Sequence, residues 1–142
     1  MSSLSSAITA AATALAVERT RIEVAVSNIA NAESTRGVDG QPYRRRDVVL
    51  ASEPVGTFDA ALGAARATGV KVAAIVEDHG AFRRRYEPSH PDADADGFVS
   101  LPNVDTPQEM VDMLGAARAY QANLAAIGLI RDLVSKALEL GR

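Results

Sequence analysis

Apolar residues recur along the first third of the chain at Leu4, Ile8, Ala11, Leu15, Ile22, Ala25, Ile29 and Ala32. The steps alternate four and three, the spacing of a heptad a/d stripe on one helix face. Glu18 interrupts the stripe, and neither Gly nor Pro appears before Gly37. The pattern predicts an N-terminal helix of roughly 45 Å at about 1.5 Å per residue.

A second stripe closes the chain: Met110, Met113, Ala117, Tyr120, Leu124, Ile127, Val134 and Leu138, with Arg131 as the exception. Its predicted start is a capping box: Thr106 as N-cap, Pro107 as the first helical residue and Glu109 three residues after the cap. Gly115 and Gly128 sit inside this predicted helix. A close approach by a neighbouring helix would explain them, since glycine otherwise weakens a helix interior.

The middle alternates differently. Tyr43–Leu50 and Val70–Glu77 read as strands, the first bounded by Asp39-Gly40 and Pro54, the second ending at Asp78-His79-Gly80. Phe82–Tyr86 and Phe98–Leu101 are shorter strand candidates, and Phe58–Ala67 reads equally as a short helix or a loop. All six prolines lie between Pro42 and Pro107, and of the aromatic residues only Tyr120 falls outside that stretch. The expected fold class is therefore α+β. Long N- and C-terminal α-helices pack antiparallel as a coiled-coil-like pair, with a small β-rich middle domain. The expected boundaries are 1–36, 37–104 and 105–142.

Both predicted helices are apolar beyond their stripes, at Val17 and Val24 and at Val111, Leu114, Ile130, Leu133 and Ala137. A two-helix hairpin covers one face of each helix, and an apolar band needs another packed layer. The pattern leaves two solutions: a monomeric bundle with a β insert, or burial against other subunits.

Composition narrows the chemistry. The 142 residues carry 15 Lys+Arg against 18 Asp+Glu, a net charge of −3. A nucleic-acid partner calls for a basic surplus. Arg44-Arg45-Arg46 and Arg83-Arg84-Arg85 are better read as strand residues whose side chains split between two faces and pair with acidic neighbours. With no cysteine and only His79 and His90, a Cys- or multi-His-ligated metal site is not expected. No apolar run reaches the roughly 18 residues of a membrane span. No basic residue precedes Arg19, so a typical cleaved signal peptide is not expected.

Three local features invite a chemical reading. Asp92-Ala93-Asp94-Ala95-Asp96-Gly97 matches the first six positions of an EF-hand loop, so a calcium-binding module using Asp92, Asp94 and Asp96 is the alternative function. Asn103 stands where the bidentate Glu belongs, and Pro88 and Pro91 oppose an entering helix. The plainer reading is an acidic turn between strands. A hydrolase around His79 or His90 lacks a nucleophile elbow, a P-loop and a His-Glu-x-x-His motif, and no catalytic residue is assigned. Asn28 and Asn31, in Ser27–Ala32, either end the first helix or fix register between packed helices.

Ser27–Ala32 (SNIANA), followed by Gly40–Arg46 (GQPYRRR), resembles the N-terminal signature of flagellar axial proteins. His90–Asp105, Glu109–Met113 (EMVDM) and Ala117–Ala122 (ARAYQA) resemble the proximal rod proteins of the bacterial flagellar basal body. The likeness spans nearly the whole chain in order, except for Ser52–Thr68. It implies a non-enzymatic structural subunit without cofactor or metal. It also implies export through the flagellar type III apparatus on an uncleaved N-terminal signal, and residence in the periplasm-spanning rod of the basal body. Implied partners are copies of itself and other rod subunits, with neither nucleic acid nor membrane insertion. The resemblance turns the two burial solutions toward inter-subunit packing. The expected packing residues are Leu4, Ile8, Leu15, Ile22, Asn28, Ile29 and Asn31 on the first helix. On the second they are Met110, Met113, Ala117, Tyr120, Leu124, Ile127, Val134 and Leu138.

Overall fold

The computed structural model describes residues 2–37, 39–55 and 67–140. The candidate helix or loop at Phe58–Ala67 lies outside them except for its last residue. Helix α1 runs from Ser2 to Ala30 and helix α2 from Thr106 to Leu140. At 1.5 Å per residue they are about 43 Å and 52 Å long. Asn28, near the end of α1, touches Glu109 at the start of α2. Arg19 in turn lies within electrostatic reach of Tyr120. The two helices therefore run antiparallel, as the stripes predict.

The β part is two separate antiparallel pairs. Strand β1 (Arg46–Val55) pairs with β2 (Ala67–Glu77) from Arg46↔Glu77 to Val55↔Ala67, with a bulge between Val49 and Leu50. Strand β3 (Arg83–Tyr86) pairs with β4 (Phe98–Leu101). The β1–β2 ribbon begins beside Asn28 and runs back along α1, where the Val70 amide donates to the Thr13 hydroxyl at 3.2 Å. It continues through Pro54, paired with Thr68, beyond the boundary expected at that proline. In a two-stranded ribbon every strand has an open edge, where a missing N–H is tolerated.

The most deeply buried side chains come from β4, the segment that leads from it into α2, and the end of α1. Val99, Pro102, Val104 and Asn28 are almost wholly enclosed, with Leu101 and Ala32 beside them. Val17, Ala25 and Ala116 continue the seam along the helices.

Two boundary expectations change. The cap of α2 is Asp105, not Thr106: its carboxylate accepts the Gln108 amide at 3.4 Å and its carbonyl accepts the Glu109 amide at 3.0 Å. Thr106 and Pro107 then fill the first helical positions, where a missing N–H has no cost. At the end of α1, Asn31 does stop the helix, but not through left-handed backbone, which only glycines adopt among the described residues. Its main-chain and side-chain amides both donate to the Ser27 carbonyl, at 3.1 and 2.8 Å, so the side chain adds a second bond to a carbonyl of the last turn.

Candidate functional site

The candidate site is the helical pair itself, and a buried polar knot fixes its geometry. Asn28 is 1% exposed. Its amide nitrogen donates to the Arg46 carbonyl at 2.8 Å and to Glu109 Oε2 at 2.9 Å. Its Oδ1 accepts from the Arg46 amide at 2.9 Å and from the Tyr43 hydroxyl at 2.9 Å. That is the full hydrogen-bonding capacity of an asparagine. Toward Arg46 the side chain acts as a strand's main chain would, pairing both N–H and C=O.

Glu109 is 2% exposed. Its second oxygen accepts from Arg45 Nε at 2.6 Å. Burial pulls the Arg45 guanidinium down, but hydrogen bonding and charge from Glu109, with help from Asp47, outweigh it and the net shift is upward. The Arg45 amide donates to Asn103 Oδ1 at 3.0 Å, and Asn103 donates to the Asp78 carbonyl at 3.2 Å. Among the described residues no buried side-chain nitrogen or oxygen lacks a partner. The knot therefore joins α1, the approach to β1 and α2 with every buried polar atom satisfied, the condition under which such networks specify one packing.

Asn28 thus joins the two helices and the approach to β1 within the chain. Glu109, Tyr43 and Arg45 were not singled out for that junction. A signal for Glu109 was present: it stands four residues before Met113, on the same helix face.

The apolar stripes divide into two sets. On α1, Ile8, Leu15, Ile22 and Ile29 are half-buried along with Asn31, while Leu4 is partly open. On α2, Met113, Ala117, Tyr120, Ile127 and Val134 are half-buried. Met110, Leu124 and Leu138 are 49%, 55% and 63% exposed. Val111, Leu114, Leu129, Leu133 and Leu140 are also exposed. At 3.6 residues per turn Val111, Leu114, Leu129, Leu133 and Leu140 cover an arc on the side away from α1, Met110 and Leu124 border that arc, and Leu138 shares the face of Tyr120, five turns before it. Among the described residues, Gly115 and Gly128 have no atom within 4 Å of an added Cβ, so none of those residues makes the close approach expected of them.

The surface area is large for the chain's mass, and the strands contribute to it as well as α2, with Val49, Leu50, Ile75, Val76 and Tyr86 exposed. A compact 14.9 kDa monomer exposes about 7,000 Å², whereas this chain exposes 9656 Å². The surplus of about 2,600 Å² equals about three sides of a standard protein–protein interface at about 800 Å² each.

The arginine triplets pair with acidic neighbours inside the chain. Arg83 and Arg85 both reach Glu33, while Arg84, on the other face of β3, binds Asp94 at 2.6 Å. Arg46 meets Glu77, and Arg44 stacks over Phe82.

The carboxylates of the Asp-rich turn are similarly engaged. Asp92 accepts from Thr35 and Arg36, each at 2.7 Å. Asp94 Oδ1 accepts the Phe98 and Asp96 amides, the bonding of a side-chain-closed turn. The Phe98 amide, then Arg84 and the Asp96 amide, hold the Asp94 carboxyl below the usual carboxylate range against a smaller opposing effect of burial. His90 accepts the Asp92 amide, and His79 is exposed. Among the described residues no three His, Cys, Asp or Glu side chains are grouped to hold a metal. No described helix is long and apolar enough to cross a membrane.

Residues 95–140 match the family described as flagellar basal body rod FlgEFG protein C-terminal. Over 132 residues the chain is 45% identical to the flagellar basal-body rod protein FlgC of Salmonella typhimurium (strain LT2), covering 93% of each chain. It is 42% identical to the protein of that name from Bacillus subtilis (strain 168), over 92% of this chain and 93% of the relative. The Borreliella burgdorferi FlgC is 39% identical, with 96% and 97% covered.

Proposed function

The chain belongs to the flagellar basal-body rod protein FlgC family, and from that membership we propose that it is a structural subunit of the proximal rod. It performs no catalysis. It assembles with copies of itself and with other rod subunits, reaches the rod through the flagellar type III apparatus without a cleaved signal peptide, and resides in the periplasm-spanning part of the basal body.

The observation that carries this reading is the open apolar arc of α2. Val111, Leu114, Leu129 and Leu133 lie on it, Met110 and Leu124 border it, and Leu138 and Leu4 are open toward the opposite end of the helical pair. Of the expected packing set, Met110, Leu124, Leu138 and Leu4 are the members most open to neighbouring subunits. The others of the expected packing set, from Ile8 and Leu15 to Ile127 and Val134, first close the seam between α1 and α2 and so present the arc as a rigid face. The helical segments 1–36 and 105–142 form the inner, tube-building part in this assignment, and 37–104 lies outside it.

The mechanism is mechanical. Sliding one long helix past another breaks many apolar contacts at once, because the side chains interdigitate at interior density. A rod built this way carries torque without slip. The charged rim sets register and partner choice more than strength.

Deleting the gene and imaging basal bodies tests the assignment. Loss of motility with basal bodies that stop before the proximal rod is the expected result. Complete rods in the deletion strain would overturn it.

A further inference from the structure

Five bonds outside the seam and the Asn28 knot gather on one short segment. Ala32–Arg36 leaves the end of α1 and lies against the β3–β4 unit. Arg83 Nε donates to the Pro102 carbonyl at 2.9 Å, and its Nη2 donates to the Ala32 carbonyl at 3.0 Å. One planar guanidinium thus spans the exit of α1 and the approach to α2. The fork is rigid and suited to two acceptors at once. A cation is also favoured at the carbonyl end of a helix.

Beyond that pin, Glu33 receives Arg85 at 2.6 Å and Arg83 at 3.5 Å. Arg36 and Thr35 both hold Asp92 in the turn between β3 and β4. Ion pairs this exposed are weak singly. Here they act on one segment of a few residues, and all of them join it to the same unit.

We propose that the segment Ala32–Arg36 is an electrostatic strap, pinned by Arg83, that fixes the angle between the β3–β4 unit and the helical pair. Raising ionic strength loosens the Glu33, Arg36 and Asp92 pairs through screening, while the two carbonyl bonds of Arg83 persist. The strap therefore slackens with salt without letting go.

The chain has no cysteine, so spin labels can be placed at Ser100→Cys on β4 and Gln121→Cys on α2, both exposed positions. Pulsed electron–electron resonance then reads the distance between unit and helix in the full chain, with circular dichroism reporting helix content. The otherwise unsubstituted chain gives one narrow population. Arg83→Ala, and separately the Glu33→Ala/Asp92→Ala pair, broaden it at least twofold with helix content unchanged. An unaltered distribution in either variant overturns the strap. If Arg83→Ala unfolds, Arg83→Lys decides. A single ammonium cannot span both carbonyls, so broadening supports the pin and an unaltered distribution refutes it.

Discussion

The Asn28 amide lies 2.9 Å from the Glu109 carboxylate across the seam between α1 and α2. These residues stand 81 positions apart in sequence, yet neither can reach its buried position with its bonds satisfied unless the other is there.

Asn28→Ala removes four bonds and strands the Arg46 main chain and one Glu109 oxygen. Each buried polar group left unpaired costs about 1–3 kcal/mol, so a loss of about 3 kcal/mol is expected in urea denaturation. Asn28→Asp is worse, because it sets a second carboxylate against Glu109. A double-mutant cycle between positions 28 and 109 should give a coupling of at least about 1 kcal/mol. Additive losses would show that the contact carries no energy of its own.

Glu109→Ala leaves the Arg45 guanidinium partly buried and without its main partner. Breaking one side of such a pair costs about 3–5 kcal/mol when burial is complete, and Arg45 retains some solvent and Asp47. The expected loss is therefore about 2–3 kcal/mol. Replacing Arg45 and Glu109 together with apolar residues is expected to cost less than Glu109→Ala alone, because no guanidinium is then left without its partner. Chemical denaturation of the two sets checks the order.

The Asp94 turn should be acid-sensitive. In the folded chain its carboxyl is held low, chiefly by the Phe98 amide. A group with a lowered folded pKa contributes its stability fully above the unfolded value, near about 4. That contribution disappears as pH falls through the lowered folded value. The Phe98 amide resonance should therefore move only below the ordinary carboxylate range. Asp94→Asn should flatten that response while keeping the turn closed at neutral pH. Titration at or above the ordinary value would contradict the bonding described.

Gly128→Ala separates chain stability from assembly. Among the described residues nothing meets the added methyl, so the isolated molecule should gain about 0.5–1 kcal/mol of helix stability. Rod assembly should nevertheless fall, because the proposed neighbour approaches at that point. Thermal denaturation and swarming halos give the two halves of the result.

The α+β division and the antiparallel ends were legible because heptad spacing and the confinement of proline and most aromatics to the middle point the same way. The identity of the cap was less so. Asp105 and Thr106 both suit an N-cap, and one residue's difference moves Glu109 from a cap partner to the centre of the knot. Periodicity also could not decide which α2 residues meet α1. When Met113 and Tyr120 are apolar on one face and Met110, Leu114 and Leu124 on the next, both faces fit a helix-period stripe. The long-range partners of Asn28 were hidden for a related reason: Tyr43 and Arg45 lie in the approach to a strand, where no repeat marks which side chain turns toward a helix. The Asp-rich turn was read correctly as a turn, since its mismatches with a calcium loop are local and visible.

The central claim is that the outward arc of α2 exists for other subunits. Leu124→Asp places a charge at the border of that arc, 55% exposed in the single chain, where a surface change should shift stability by no more than about 0.5 kcal/mol. The most direct measurement compares the urea midpoint of the purified variant with its incorporation into basal bodies in a strain lacking the native copy. An unchanged midpoint with incorporation abolished is the predicted result; an unchanged midpoint with normal incorporation would contradict the account.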